Sequence, residues 1–439
     1  MTASKHERST PAILGGQPCV TAPLPHHVWP SLGEDEERAV LDLVRRGAIS
    51  LHRRGDIIEA FEDAFAEAHD ARYSLSTHSG TGAIHAGYFA LGLAPGDEVI
   101  APAYTHLGTI LPMLHVGVVP VLCDIDETNG NIDPDEIETH ITDRTRAIAV
   151  THQYGHACDM DRVIDIASRH GLQILEDCSH AHGASYKGRP VGTLGDVGCF
   201  SLQSHKAVPA GEGGMLVTDR ADIIERAALL GHFRQQSAWT SNASMAFVET
   251  GYGLKSRLHP LAAAIGLEQL KKLAKVNELR AMHHTRLCEA IQDSPGVEPL
   301  RRVEGARLGG YFRFVIRVDG RSLNGLTADL FLRSLVAEGA TQAMSGSLAK
   351  PMHLTRIMQT LDDGMYRGGW PRRGDHVGRV RVYQPGDFPK AERFSASTIQ
   401  LPAFTYEHSE IVDQYASAIR RTASCAEAIL TALSAGGPA

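Results

Sequence analysis

The chain has 439 residues, 43% of them hydrophobic, enough to bury a large core over two or three domains. A formal net charge of −8 argues against a nucleic-acid groove or an anionic membrane surface, and no apolar run approaches the roughly 20 residues that span a bilayer. The polar stretch Met1 to Pro11 lacks the apolar centre of a secretory signal, so a cytoplasmic protein is expected. The seven cysteines are scattered without paired spacing and read as reduced thiols.

Residues 13–33, rich in proline and glycine, predict an arm laid over the body. From Glu34 to Gly47, acids come first, bases last and a glycine closes the run, which predicts a capped amphipathic helix; a second follows over residues 57–70, with Ile58, Phe61 and Phe65 facing the core. Short apolar runs then recur at 72–75, 98–101, 118–123, 147–152, 172–175 and 198–202, separated mostly by helical or loop segments. This alternation predicts an α/β fold with a mainly parallel sheet covered on both faces, and ligands collect beyond the carboxyl ends of such strands.

Four candidates fall at those ends. Ser79, Gly80, Thr81 and Gly82 precede a helix, where small residues and free N–H groups suit a phosphate, or form a capped turn. Tyr104 or His106 offers a ring for stacking. The strand ending in Glu176 and Asp177 carries an acid that needs a partner, and a salt bridge, a helix N-terminus to cap or a protonated pyridine nitrogen would serve. Lys206 follows, between the strand end at Ser201 and the turn Gly211 to Gly214. Anion cradle, stacking ring, acid and lysine together point to pyridoxal phosphate, with Lys206 as the amine that holds the cofactor and moves protons at the substrate carbon. His152 to Gly155, and Cys158 to Asp161 at the start of the next helix, are expected at the rim. The histidine pairs His26 and His27, His180 and His182, and His283 and His284 invite a metal, but no HExxH or CxxC stands beside them, so none is assigned.

Further on, Pro260 opens a long helix towards Ile291, residues 311–318 predict a strand, 326–339 a helix, and Glu410 to Leu433 a last helix. Arg372, Arg373, Arg379 and Arg381 lie in a glycine-, arginine- and aspartate-rich stretch, 355–390, and read as a solvated loop rather than contacts to an anionic substrate.

From about Leu14 to Gln269 the motifs PxYTH, HxYGxxxDMD, EDCSHAHGA, GRPVGTLGDVGCFS and GEGG resemble, in order and spacing, the DegT/DnrJ/EryC1/StrS aminotransferases. The resemblance implies a fold-type I pyridoxal phosphate enzyme with a large, seven-stranded-type domain over 34–290, a smaller α+β domain over 291–439 and an arm over 1–33. By position it makes Gly80 and Thr81 phosphate ligands, His106 the stacking ring and Asp177 the pyridinium partner. His180 becomes the contact to the cofactor hydroxyl, Ser201 a group near the phosphate and Lys206 the Schiff-base residue. Lys255 stands where the family usually has an asparagine that reaches the neighbouring subunit's phosphate, and His180 where many members have glutamine.

Dehydratase relatives replace the lysine by histidine, and His205 adjoins Lys206; the five-residue step from Ser201 places Lys206 in register. The implied activity is transfer of an amino group from glutamate or glutamine to a keto-sugar or keto-cyclitol, by a homodimer with shared sites. The alternatives are an aminodehydratase or aromatising enzyme of the 3-amino-5-hydroxybenzoate synthase type, and a non-catalytic regulator with the same fold.

Overall fold

The computed structural model describes residues 10–51, 54–232, 247, 250–360 and 381–434. Its large sheet has seven strands, in the order Tyr73–Thr77, Gly214–Thr218, Val197–Ser201, Gln173–Asp177, Thr145–Thr151, Glu98–Pro102 and Val119–Cys123. All run the same way except Gly214–Thr218, which is antiparallel to both neighbours. That strand is absent from the expected set, because its apolar run is only Met215 to Val217 and directly follows the glycine turn.

Successive residues of a strand point to opposite faces, and here both faces are apolar. Val99, Ala101, Ala147, Ala149 and Leu175 enter the core under the helices Gly80–Ala90, Leu107–His115 and Ala221–Gly231. Ile100, Ile148, Val150 and Ile174 enter the core with Asp56–Ala68 and Met160–His170. Pro260–Ile291 is the expected long helix, with proline in its first turn.

A second, antiparallel sheet orders Val297–Pro299, Phe314–Val318, Thr398–Leu401 and Met344–Ser345. Ala328–Ala337 and Glu410–Ser424 pack on it. Two expectations change here. The strand begins at Phe314 rather than 311, because Gly310 and Tyr311 take positive φ (72° and 41°) and turn the chain first. The last helix is two, Glu410–Ser424 and Ala426–Ser434, broken at Cys425. Among the described residues no helix is long and apolar enough to cross a membrane.

One carboxylate holds the start of the arm. Glu338 accepts the Ala12 and Cys19 amides at 2.9 and 3.1 Å and pairs with the buried Arg421, while its backbone oxygen accepts the Val20 amide at 2.9 Å. Removing one partner of such a pair strands the other charge. Glu338→Ala is therefore expected to cost about 3–5 kcal/mol in urea unfolding; a loss below about 1 kcal/mol would show that the clamp is incidental.

Candidate active site

At the carboxyl edge of the sheet three backbone segments meet. Ser79 caps the helix Gly80–Ala90, its hydroxyl accepting the Gly82 amide at 3.0 Å. Gly214 lies between Thr77 and Ser201 in register. The approach is close enough that a Cβ on Gly80 would stand 2.6 Å from Ser201 Cβ, and one on Gly214 would stand 2.3 Å from the Ser79 carbonyl oxygen. Thr81 adjoins the next helix, whose Gly108 has room for no side chain beside Thr81 Oγ1. Gly80, Thr81 and Ser201 thus meet at a helix N-terminus, an arrangement that favours a phosphate.

Asp177, the last residue of its strand, is only 3% exposed. One oxygen accepts the Thr109 hydroxyl at 2.7 Å, the other the Ser179 amide at 3.0 Å. Thr105 links Thr109 to Thr151 behind it, at 2.7 and 2.9 Å. Among the described residues no cation pairs with this buried carboxylate, which fits a ligand that supplies the positive charge.

Lys206 completes the group. Its amine stands 4.1 Å from the centre of the Phe312 ring, and burial lowers its pKa to about 8 against the opposing pull of Asp177. On the same ring, His180 stacks at 4.0 Å and 4° and is held through Nδ1 by Gln153 at 3.1 Å. Burial, then the Lys206 charge, keeps His180 well below the usual histidine range. His106 caps Leu107–His115 at the surface through the Gly108 amide (3.0 Å), and burial of part of the ring and the charge of Lys206 lower its pKa.

Residues from distant segments close the site. Gly309 and Gly310 pass so near the loop after Asp177 that Cβ atoms there would meet Ala184 N at 2.2 Å and the His180 carbonyl oxygen at 2.5 Å; the turn they make delivers Phe312. Tyr154 is held at φ 53°, within stacking range of His180 at 5.7 Å, its hydroxyl bonded to Tyr104 and Gln400 at 2.7 and 3.1 Å. A residue at positive φ in a buried loop is a mark of functional constraint. From the arm, the Trp29 indole donates to the Lys206 carbonyl oxygen at 2.9 Å, with the Arg280 guanidinium 4.2 Å from its ring centre.

Other expected positions fall elsewhere. Tyr104 is buried, edge-on to Phe394 at 4.9 Å, and offers no face for stacking. His152 is not at the rim but fully buried, bonded to Glu176 at 2.9 Å; Glu176 also accepts the amides of Gly192, Leu194 and Gly195. His152, Glu176 and Cys178 bring potential metal-ligand atoms within 4.8 Å, but the first two already spend theirs on these bonds and on the Cys158 amide. His182 faces Phe65 and Phe200 in the core rather than solvent or the site. His26 and His27 bond separately to Tyr415 and Thr405, and His283 bonds to the Tyr406 carbonyl.

His205 is exposed. Lys255 is exposed too, in a segment tied to the cradle where the Ser256 carbonyl accepts the His78 amide at 2.8 Å. Met352 docks on the Ala103 carbonyl at 2.7 Å, leaving His353 buried against Glu392. Arg372, Arg373 and Arg379 lie outside the described residues; Arg381 acts on His140 at another surface.

The helix N-terminus at Gly80, the buried acid and the half-buried amine fit the phosphate, ring nitrogen and carbonyl of pyridoxal phosphate. A sequence model of the DegT/DnrJ/EryC1/StrS aminotransferase family matches residues 30–364. The L-glutamine:scyllo-inosose aminotransferase of Streptomyces griseus is 33% identical over 75% of this chain and 79% of its own. The spore coat polysaccharide biosynthesis protein SpsC of Bacillus subtilis is 31% identical over 89% and 95%. The S. venezuelae DesV crystal structure with a ketimine intermediate superposes with a TM-score of 0.73 at 27% identity, covering 89% of this chain and 94% of that one. The chain belongs to the DegT/DnrJ/EryC1/StrS aminotransferase family and is a pyridoxal-phosphate-dependent aminotransferase.

Proposed function

We propose that the protein moves the amino group of glutamine or glutamate to a keto-sugar or keto-cyclitol, on its way to an aminosugar or aminocyclitol. The observation that carries this reading is the buried Asp177 carboxylate, held by two hydrogen bonds and in no salt bridge among the described residues, close to an enclosed lysine whose pKa is lowered to about 8. Bound pyridoxal phosphate supplies a carbonyl for the amine and an electron-withdrawing ring for the substrate carbon. The chain does the rest. Gly80, Thr81 and Ser201 would hold the phosphate, Asp177 would keep the ring nitrogen protonated, His180 would meet the ring hydroxyl and His106 would cover the ring. Lys206 would hold the cofactor through its carbonyl, and its Nζ would carry a proton to and from the substrate carbon.

The same reading makes the protein a cytoplasmic homodimer, with the arm over 1–33, the large domain over 34–290 and the small domain over 291–439. Exposed apolar side chains at Leu24, Val28, Leu32, Leu41, Val44 and Ile49 supply contact area for a second copy. Lys255, exposed beside the cradle segment, is the group that reaches the partner's phosphate.

The test is a two-stage assay. Cofactor-loaded protein is converted to the pyridoxamine form with L-glutamine or L-glutamate, then offered keto-cyclitols and nucleotide-linked keto-sugars. Donor-dependent conversion followed by amine formation on one acceptor is expected. Release of water from the acceptor would select the aminodehydratase instead, and no conversion by either donor would sink the aminotransferase reading.

A further inference from the structure

Among the described residues, two arginines near Lys206 have no acidic partner. Arg313 follows Phe312 directly, half-buried, with its guanidinium carbon 5.9 Å from the same ring centre that Lys206 Nζ approaches at 4.1 Å. Among the described residues no hydrogen-bond acceptor and no carboxylate pairs with it. Arg280, 1% exposed, gives Nη1 to the Gly310 carbonyl at 2.6 Å and leaves Nε without a partner. Burial, and then the charge of Arg313, push Arg280 down to about 9, and burial lowers Arg313 as well. Arg421, the other buried arginine among the described residues, holds a carboxylate.

An uncompensated cation away from water is costly, and the cost is removed when a ligand brings the anion. We infer that Arg313 binds the carboxylate of the amino donor, with Arg280 behind it as a fixed second positive charge, and so selects an α-amino acid over a simple amine. This rests on the aminotransferase reading.

The choice of donor follows from bond counts. The carboxylate of an α-amino acid is two bonds from the nitrogen that must displace Lys206, so it arrives on the Phe312 side together with that nitrogen. A ring ketone with only hydroxyl groups has no anion to place there. In a nucleotide-linked sugar the phosphates are separated from the reacting carbon by the sugar ring. When the keto acid leaves, the guanidinium N–H groups are free to donate to acceptor hydroxyls, so one pocket serves both halves of the reaction.

The test compares L-glutamine with 4-aminobutanamide, the same frame without the carboxylate, in single-turnover conversion of the cofactor-loaded protein to its pyridoxamine form. Arg313→Gln is expected to slow conversion by subsaturating L-glutamine about 30-fold, with 4-aminobutanamide unchanged, and Arg313→Lys to recover part of the loss. Calorimetric binding of glutaramate, which keeps the carboxylate but has no amino group, is expected to weaken about tenfold in Arg313→Gln.

Equal slowing with both amines, an unchanged glutamine rate, or a defect confined to the acceptor half would overturn the assignment while leaving the aminotransferase reading intact. If wild type is converted by no amino acid, both fall together.

Discussion

Lys206→Ala is expected to lose on the order of 10⁴-fold or more in transamination, because one substitution removes both the amine that binds the cofactor carbonyl and the base that moves the proton. The fold should survive, since the Lys206 carbonyl, not its side chain, is what Trp29 binds. Absorbance is the direct check: the visible band that wild type gains on binding pyridoxal phosphate should be missing from the variant. A variant that kept this band would move the linkage to another residue, and His205 cannot form it.

The lowered pKa gives the same residue a pH signature. Below its folded pKa of about 8 the amine is protonated and cannot attack, so capture of pyridoxal phosphate by cofactor-free protein should speed up with rising pH and level off above about 8. An ordinary lysine would still be gaining at pH 10. A rate that keeps climbing to that pH would show that the side chain is not enclosed in solution.

Asp177→Asn is expected to lower the rate of both half-reactions by about 10²- to 10⁴-fold while leaving the Lys206 band present, since the cofactor is still linked but its ring nitrogen is no longer held protonated. The Thr109 hydroxyl and the Ser179 amide, now the partners of Asp177, keep the replaced group in place. Exchange of the donor's α-hydrogen with solvent isolates the step: it should fall by the same factor as turnover. Exchange at the wild-type rate would place the role of Asp177 in folding or binding rather than in proton removal.

Much of this site was legible because its parts are local. Gly80 and Thr81, Asp177, Ser201 and Lys206 each stand at the end of a strand or a few residues beyond it, so the strand ends that carry them can be read one at a time, and a parallel sheet brings such ends to one edge. Phe312, Arg313, Trp29 and Arg280 were not legible as site residues. Their placement depends on the second sheet, the arm and the long helix meeting at Lys206, and no short window of sequence contains that meeting.

One local signal was present and misread. Residues 311–318 alternate like a strand, but Gly309 and Gly310 stand just before them, and two glycines ahead of an apolar run are where a chain turns sharply or passes close to another backbone. The turn takes Phe312 and Arg313 out of the strand and into the site. His152 was misplaced for the opposite reason: polarity at a strand end suggested the rim, whereas Glu176 pairs it inside.

For anyone making this protein, the arm decides where a tag or a truncation is safe. Its first described residues are tied to Glu338 and its far end to the carbonyl of Lys206, so it acts as a strut between the C-terminal sheet and the lysine. Additions ahead of Thr10 leave that strut whole. A deletion trimmed back to the first helix at Glu34 would still express the entire seven-stranded sheet, yet remove the indole beneath Arg280 and loosen the residue on which the chemistry turns.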